Sequence, residues 1–164
     1  MSLERWFPEE IKPRPLQRDG VRLQVPPGWE GRMAQQLETA EGESTFQVTH
    51  AATVPLSGAR ADYGGGVVER LGSGDVFIAL LEFGPEEAGT ALFKVVDEIP
   101  TLDITMFHRN QLQRRIRGQA GVQHFFTLSG RPFCLYVVLG SIANSPALVV
   151  KANELLTGLD VEPR

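Results

Sequence analysis

Between Val122 and Leu139 the chain reads VQHFFTLSGRPFCLYVVL, and the fold is best argued outward from this stretch. Val122, His124 and Phe126 alternate with Gln123, Phe125 and Thr127, the period of a strand with one face turned inward. Leu128-Ser129-Gly130-Arg131 reads as a turn, and Pro132 to Leu139 as a second, almost wholly apolar strand. The pair is an antiparallel hairpin. Downstream, Ser145-Pro146 offers a helix N-cap and a first-turn proline. Leu148, Ala152, Leu155 and Leu156 form one apolar stripe, and Gly158 stands where the helix should stop. That stripe has to cover a sheet face.

The upstream half is less regular. Pro8, Pro13 and Pro15 are too closely spaced for a helix or a central strand, so residues 1–20 read as an extended N-terminal arm, with Trp6 and Phe7 as its anchors. A single α+β domain is expected over 21–164. Val21, Leu23 and Val25 alternate with Arg22 and Gln24 as a half-buried strand, and Pro26-Pro27-Gly28 stops it. Met33 to Leu37 fits a strand or a helical turn; the turn at Ala40–Ser44 favours the strand. Phe46, Val48 and His50 share one face of the next strand. Asp62 to Leu71 fits a short helix with Val67, Val68 and Leu71 inward, although Gly64-Gly65-Gly66 weakens it. Val76 to Phe83 is apolar on both faces and belongs in the middle of a sheet. Leu92 to Val96 reads as a further short strand, and Gln111 to Ile116 as one or two helical turns. The expected class is α+β, a mostly antiparallel sheet with helices packed on it.

Composition bounds the rest. The 164 residues can bury roughly two-thirds of their unfolded surface and need no disulfide or metal to fold. The single cysteine, Cys134, excludes a disulfide framework and a multi-cysteine zinc site, and its apolar setting makes it an inert thiol. No apolar run is long enough for a membrane span. Met1 to Glu10 carries no signal-peptide pattern, so the cytoplasm is the expected location, with an upstream signal or anchor left open.

A strand leading into Val25-Pro26-Pro27-Gly28-Trp29, an antiparallel middle, a late hairpin and a closing helix resembles the Mog1/PsbP-like group of domains. The resemblance covers the two ends of the chain and leaves 50–120 unsupported. It implies a non-enzymatic adaptor, assembly factor or chaperone, and brings no catalytic residues.

No chemistry-bearing motif stands against that expectation. His50, His108 and His124 are too far apart in sequence to share one element. A meeting of His50 and His124 across the sheet would still lack a third metal ligand, so no metal site is assigned. Gly64-Gly65-Gly66 lacks the lysine of a phosphate loop and the third glycine of a dinucleotide fingerprint. No cofactor and no catalytic residue is assigned.

Charge is the one asymmetric feature. From Ile104 to Asn153 there are six bases and no acid, a net of +6. Residues 1–103 hold nine bases against 17 acids, a net of −8, and 154–164 one base against three acids, a net of −2; together they give the total of −4. Such a division points to a charged contact surface, or to two halves that neutralise each other on folding. Arg109, Arg114, Arg115 and Arg117 are the candidate partner-binding residues, for an acidic protein partner or a homodimer. The acidic total and the absence of a recognised motif argue against nucleic acid. The expected function is a non-enzymatic protein-binding module. The alternative is a small-molecule binding domain or an enzyme with a pocket site of unfamiliar type.

Overall fold

The computed structural model describes residues 13–35, 46–56 and 63–164. Within them the strands are β1 (Arg14–Arg18), β2 (Val21–Val25), β3 (Glu30–Gln35), β4 (Gln47–Ala52), β5 (Val76–Glu82), β6 (Ala120–Leu128), β7 (Arg131–Leu139) and β8 (Leu159–Val161). Helix α1 (Ser145–Leu156) lies between β7 and β8. The architecture is α+β and mostly antiparallel sheet. A five-stranded sheet runs β3-β4-β5-β7-β6, and a three-stranded sheet runs β1-β2-β8.

The five-stranded sheet is covered on both faces. Every residue of β5 and β7 is buried, as a doubly apolar run requires. One face carries Val76, Ile78, Leu80, Phe133, Leu135 and Val137, and meets α1 together with β2 and β8 of the smaller sheet. The expected helix stripe is the observed one: Leu148, Ala152, Leu155 and Leu156 are all at most 4% exposed. The opposite face carries Phe77, Ala79, Leu81 and Tyr136, and is covered by irregular chain around Val67, Val68 and Leu71 and around Leu112.

Several expectations change. Residues 14–18, placed in the arm, pair with β2 as an edge strand, where Pro15 is tolerated. Trp6, Phe7, Leu37 and the turn at Ala40–Ser44 lie outside the described residues. Met33 sits on a strand, β3, because β4 pairs alongside it. Between 63 and 71 there is one 3-10 turn, Val68–Arg70, and no longer helix, yet Val67, Val68 and Leu71 do point inward. Leu92 to Val96 touches the sheet through a single bridge, Val95 to Thr127, and is not a strand. The hairpin turn is shorter than expected. Ser129 and Gly130 both take positive φ, +55° and +75°, as a two-residue turn matched to strand twist requires. Arg131 therefore joins β7. Ser145 is the first helical residue, with Asn144 at the N-cap and no side-chain cap bond; the Ser145 hydroxyl donates to Ile142 O instead.

The burial of Arg131 couples the two sheets. Its Nε and Nη2 donate to the two carboxylate oxygens of Glu82 at 2.9 and 2.7 Å. Both side chains are 3% exposed. Nη1 reaches out of the sheet, to Asp19 O in the β1–β2 turn at 2.6 Å and to Glu162 O after β8 at 3.0 Å. Arg164 adds two more bonds to Glu82, at 2.9 and 3.2 Å. Burial alone would raise the Glu82 carboxyl, but the two guanidiniums outweigh it and hold it below its ordinary value.

Two outcomes are expected. Leu155→Ala should cost about 2–5 kcal/mol in urea unfolding, because the 1%-exposed side chain fills the helix–sheet seam. For Glu82, a folded pKa below the unfolded one means that the unfolded chain binds more protons as pH falls. Its contribution is therefore complete above the ordinary value of 4.5 and lost as pH falls through the lower folded value. Glu82→Gln should flatten that acid limb and lower stability at neutral pH by about 3–5 kcal/mol, since Arg131 is left buried without its charge partner. An unchanged limb in a pH series of urea curves would overturn this.

Candidate functional site

The arginine-bearing segment is a loop that straddles an open sheet edge. β6 is the outer strand of its sheet, and the loop crosses that edge so that Phe107 enters one core and Leu112 the other. His108 bridges Gly121 with two backbone bonds, at 2.9 and 3.1 Å. Gln111 O accepts from Gln123 Nε2 at 2.8 Å. The Gln113 backbone N–H donates to the Tyr136 hydroxyl at 2.9 Å. At the far end Ile142 N–H donates to Gly118 O at 2.7 Å.

These bonds explain why Gln111 to Ile116 is not helical. The Gln111 carbonyl, which a helix would use internally, is taken by the Gln123 side chain of β6, and the Gln113 N–H is held by the Tyr136 hydroxyl of β7. Only a 3-10 turn, Arg109–Gln111, remains. Gly121 is needed for the close approach. A Cβ there would stand 2.6 Å from Leu112 Cδ2 and 3.0 Å from Val137 O.

With its apolar residues and backbone tied down, the loop turns its arginines outward. Arg109, Arg115 and Arg117 are exposed and line one open cleft of about 580 Å³, floored by Leu112 and Ile116. Among the described residues these three guanidiniums have no ion pair and no hydrogen bond. Arg114 is different: its Nη1 lies 2.8 Å from Glu69 Oε1, away from the cleft. The Glu69 carboxyl is held below its ordinary value by its own backbone N–H, with Gly66 N–H and Arg114 adding to that against slight burial.

The acid-free span thus divides by use. Arg131 is consumed in the core. Lys151 Nζ donates to Gly74 O at 2.9 Å. Arg114 neutralises an acid of the first half, Glu69. What remains is the triad of Arg109, Arg115 and Arg117. Sequence reasoning missed the cleft floor. Leu112 and Ile116, four residues apart amid arginines, carry the signal, but the sequence reads there only as one or two helical turns.

The other candidates separate. His50 and His124 do not meet, because the register puts them on opposite faces of the sheet: His50 pairs with Ala79 of one core, and His124 with Leu135 of the other. The His50 ring stands edge-on to Phe77 at 5.2 Å. His124 is half-buried near Phe126, and burial lowers its pKa. His108 is exposed. Among the described residues no group of three or more His, Cys, Asp or Glu side chains is placed to hold a metal ion. Cys134 is buried and its thiol is pushed up to about 12 by that burial. No helix among the described residues is long and apolar enough to cross a membrane.

Two further open clefts bear on function. One, of about 380 Å³, lies between Tyr63 and Tyr136 beside the Glu69–Arg114 pair. The other, of about 460 Å³, lies at the end of α1 and is lined by Asp97, Glu98 and Asp160 with no base. Asp160 is engaged by Arg22 at 2.6 Å on the surface.

The loop's placement is testable through its tightest contact. Gly121→Ala should cost about 1–3 kcal/mol, as overpacking does, because Val137 O is fixed backbone and Leu112 has to move. Faster hydrogen exchange at the Gln113 amide, which bonds Tyr136, is expected alongside; unchanged exchange would mean that the contact does not hold the loop.

Compared with known proteins, the chain matches no family model, no curated protein and no solved structure.

Proposed function

We propose that this chain is a non-enzymatic protein-binding module of the adaptor or assembly-factor kind, which docks an acidic segment of a partner in the cleft of Arg109, Arg115 and Arg117. One observation carries the reading: three exposed guanidiniums surround a cleft and find no carboxylate among the described residues. Like charges held together without a counter-ion repel one another, and an incoming carboxylate relieves that repulsion. Arginine suits the task, since its planar fork pairs carboxylates bidentately and is weakly hydrated. Leu112 and Ile116 beneath the charges favour a segment that also carries an apolar side chain.

Likeness to Mog1/PsbP-like domains is part of the same proposal. Its support is Trp29, buried in the main core directly after the strand and Pro-Pro-Gly turn, together with the late hairpin and closing helix. A cytoplasmic site of action belongs to it too, and a free, unpaired thiol is in keeping with a reducing compartment. The rival reading, a small-molecule domain or an enzyme, has its best footing in the Tyr63–Tyr136 cleft. That cleft is open, and its one ion pair is exposed at the arginine end, 71% against 31% for Glu69.

The test uses a fluorescein-labelled peptide of alternating glutamate and leucine, followed by anisotropy. Binding at low salt is expected, weakening as salt rises, because exposed charges are screened beyond about 10 Å at 0.1 M. Arg115→Glu with Arg117→Glu should abolish it while the melting temperature stays nearly constant, since neither side chain has a partner to lose. Binding that survives the reversal, or no binding by the wild-type chain, overturns the proposal.

A further inference from the structure

We infer that the arginine cleft also accepts the acidic end of a second copy of this chain, so that the protein associates head to tail. This deepens the docking reading and rests on it. The two clefts sit at opposite ends of the same elements. β6 starts beside the Gly121–His108 bridge that anchors the arginine loop, and ends at Leu128, which lines the acidic cleft. Its nine residues span roughly 27 Å at about 3.4 Å each. α1 runs in the same sense. The chain just before it bonds Gly118 through Ile142 N–H, and Leu156 and Thr157 at its other end line the acidic cleft.

The ends are complementary in charge and in apolar character. One cleft is lined by three arginines and no acid, the other by three acids and no base, of which Asp160 is already paired with Arg22 and Asp97 and Glu98 are not. The helix dipole points the same way, with its positive end toward the arginines. Asp97 and Glu98 are exposed and have no ion pair or hydrogen bond among the described residues. Beside them Val95 is 71% exposed, more than any other large apolar residue described. Residues 95–98 thus present a bare apolar side chain and two bare carboxylates, the chemistry that three guanidiniums over Leu112 and Ile116 would take. Lys94 is the one opposing charge on the segment. The segment is already ordered, because Val96 N–H donates to Thr127 O at 2.9 Å and Lys94 O accepts from Thr127 N–H at 2.8 Å.

A contact between two different patches leaves one of each kind unused, so it extends the assembly and does not close it as a two-fold dimer. That distinction supplies the experiment. Arg115→Gln with Arg117→Gln leaves a molecule with only its acidic end; Asp97→Asn with Glu98→Gln leaves one with only its basic end. All four residues are exposed, and circular dichroism with a melting curve confirms that each variant folds. In sedimentation velocity at low salt, the wild-type mass should grow with concentration and fall back to the monomer at about 0.5 M salt. Each variant alone should stay monomeric, and an equimolar mixture should stop at a dimer. A wild-type chain that remains monomeric at high micromolar concentration overturns the inference, as does a mixture that remains monomeric. A variant that still self-associates also overturns it, since the contact is then a two-fold one. If the chain is monomeric yet binds the glutamate–leucine peptide, head-to-tail association falls and the docking reading stands. If it does neither, both fall.

Discussion

The Glu82–Arg131 ion pair is the constraint on which the assembly of this molecule depends. A carboxylate and a guanidinium are each almost wholly removed from water, which is unfavourable unless nearly every donor and acceptor finds a partner. Here they do. The fork of Arg131 holds both oxygens of Glu82 within the larger sheet, and its remaining nitrogen holds two carbonyls that belong to the smaller one. Apolar contacts between sheets and helix supply most of the driving force but little direction. The guanidinium supplies direction: the β1–β2 turn and the chain after β8 have to arrive where its Nη1 points. Its position on the hairpin is in turn set by the two-residue Ser129-Gly130 turn, since one more residue there would move Arg131 to the other face of the strand.

A second design principle is the separation of apolar and charged duties in irregular chain. Between His108 and Gly118 nothing longer than one 3-10 turn forms, yet backbone and apolar side chains are anchored to β6, β7 and the segment before α1. The arginines are displayed because their neighbours are held. The same holds for 94–98, where two backbone bonds to Thr127 present Val95, Asp97 and Glu98 outward.

What could be read from the sequence was what is periodic. The alternation at 21–25, the apolar run that becomes β5 and the stripe of Leu148, Ala152, Leu155 and Leu156 each contain their own evidence and reappear; 122–127 reappears as a strand, but with Thr127 buried and His124 half-buried, because both faces of the sheet are covered. What could not be read depends on a distant partner. β8 is three residues long and is a strand only because β2 lies beside it. Gln111 to Ile116 has ample helix propensity, but its backbone groups are claimed by Gln123 and Tyr136. Of the four candidate arginines, nothing local distinguishes Arg114 from Arg115; the difference is Glu69, forty-five residues away. The acid-free span was visible, whereas the use of Arg131 as a core residue was not, because its partner sits on another strand.

The arginine loop has one more role that follows from where it lies. β6 is an outer strand rich in aromatic residues, and a bare edge of that kind invites other chains to add to it. The His108–Gly121 bridge and the Gln111–Gln123 bonds close it near one end, and the residues around Val95 close it near the other. The proposed recognition and the protection against aggregation therefore fall on the same chain segments. A surface that doubles as an edge guard is not free to loosen while waiting for a partner. A partner of the proposed kind would meet it already shaped, with little ordering entropy set against the contact.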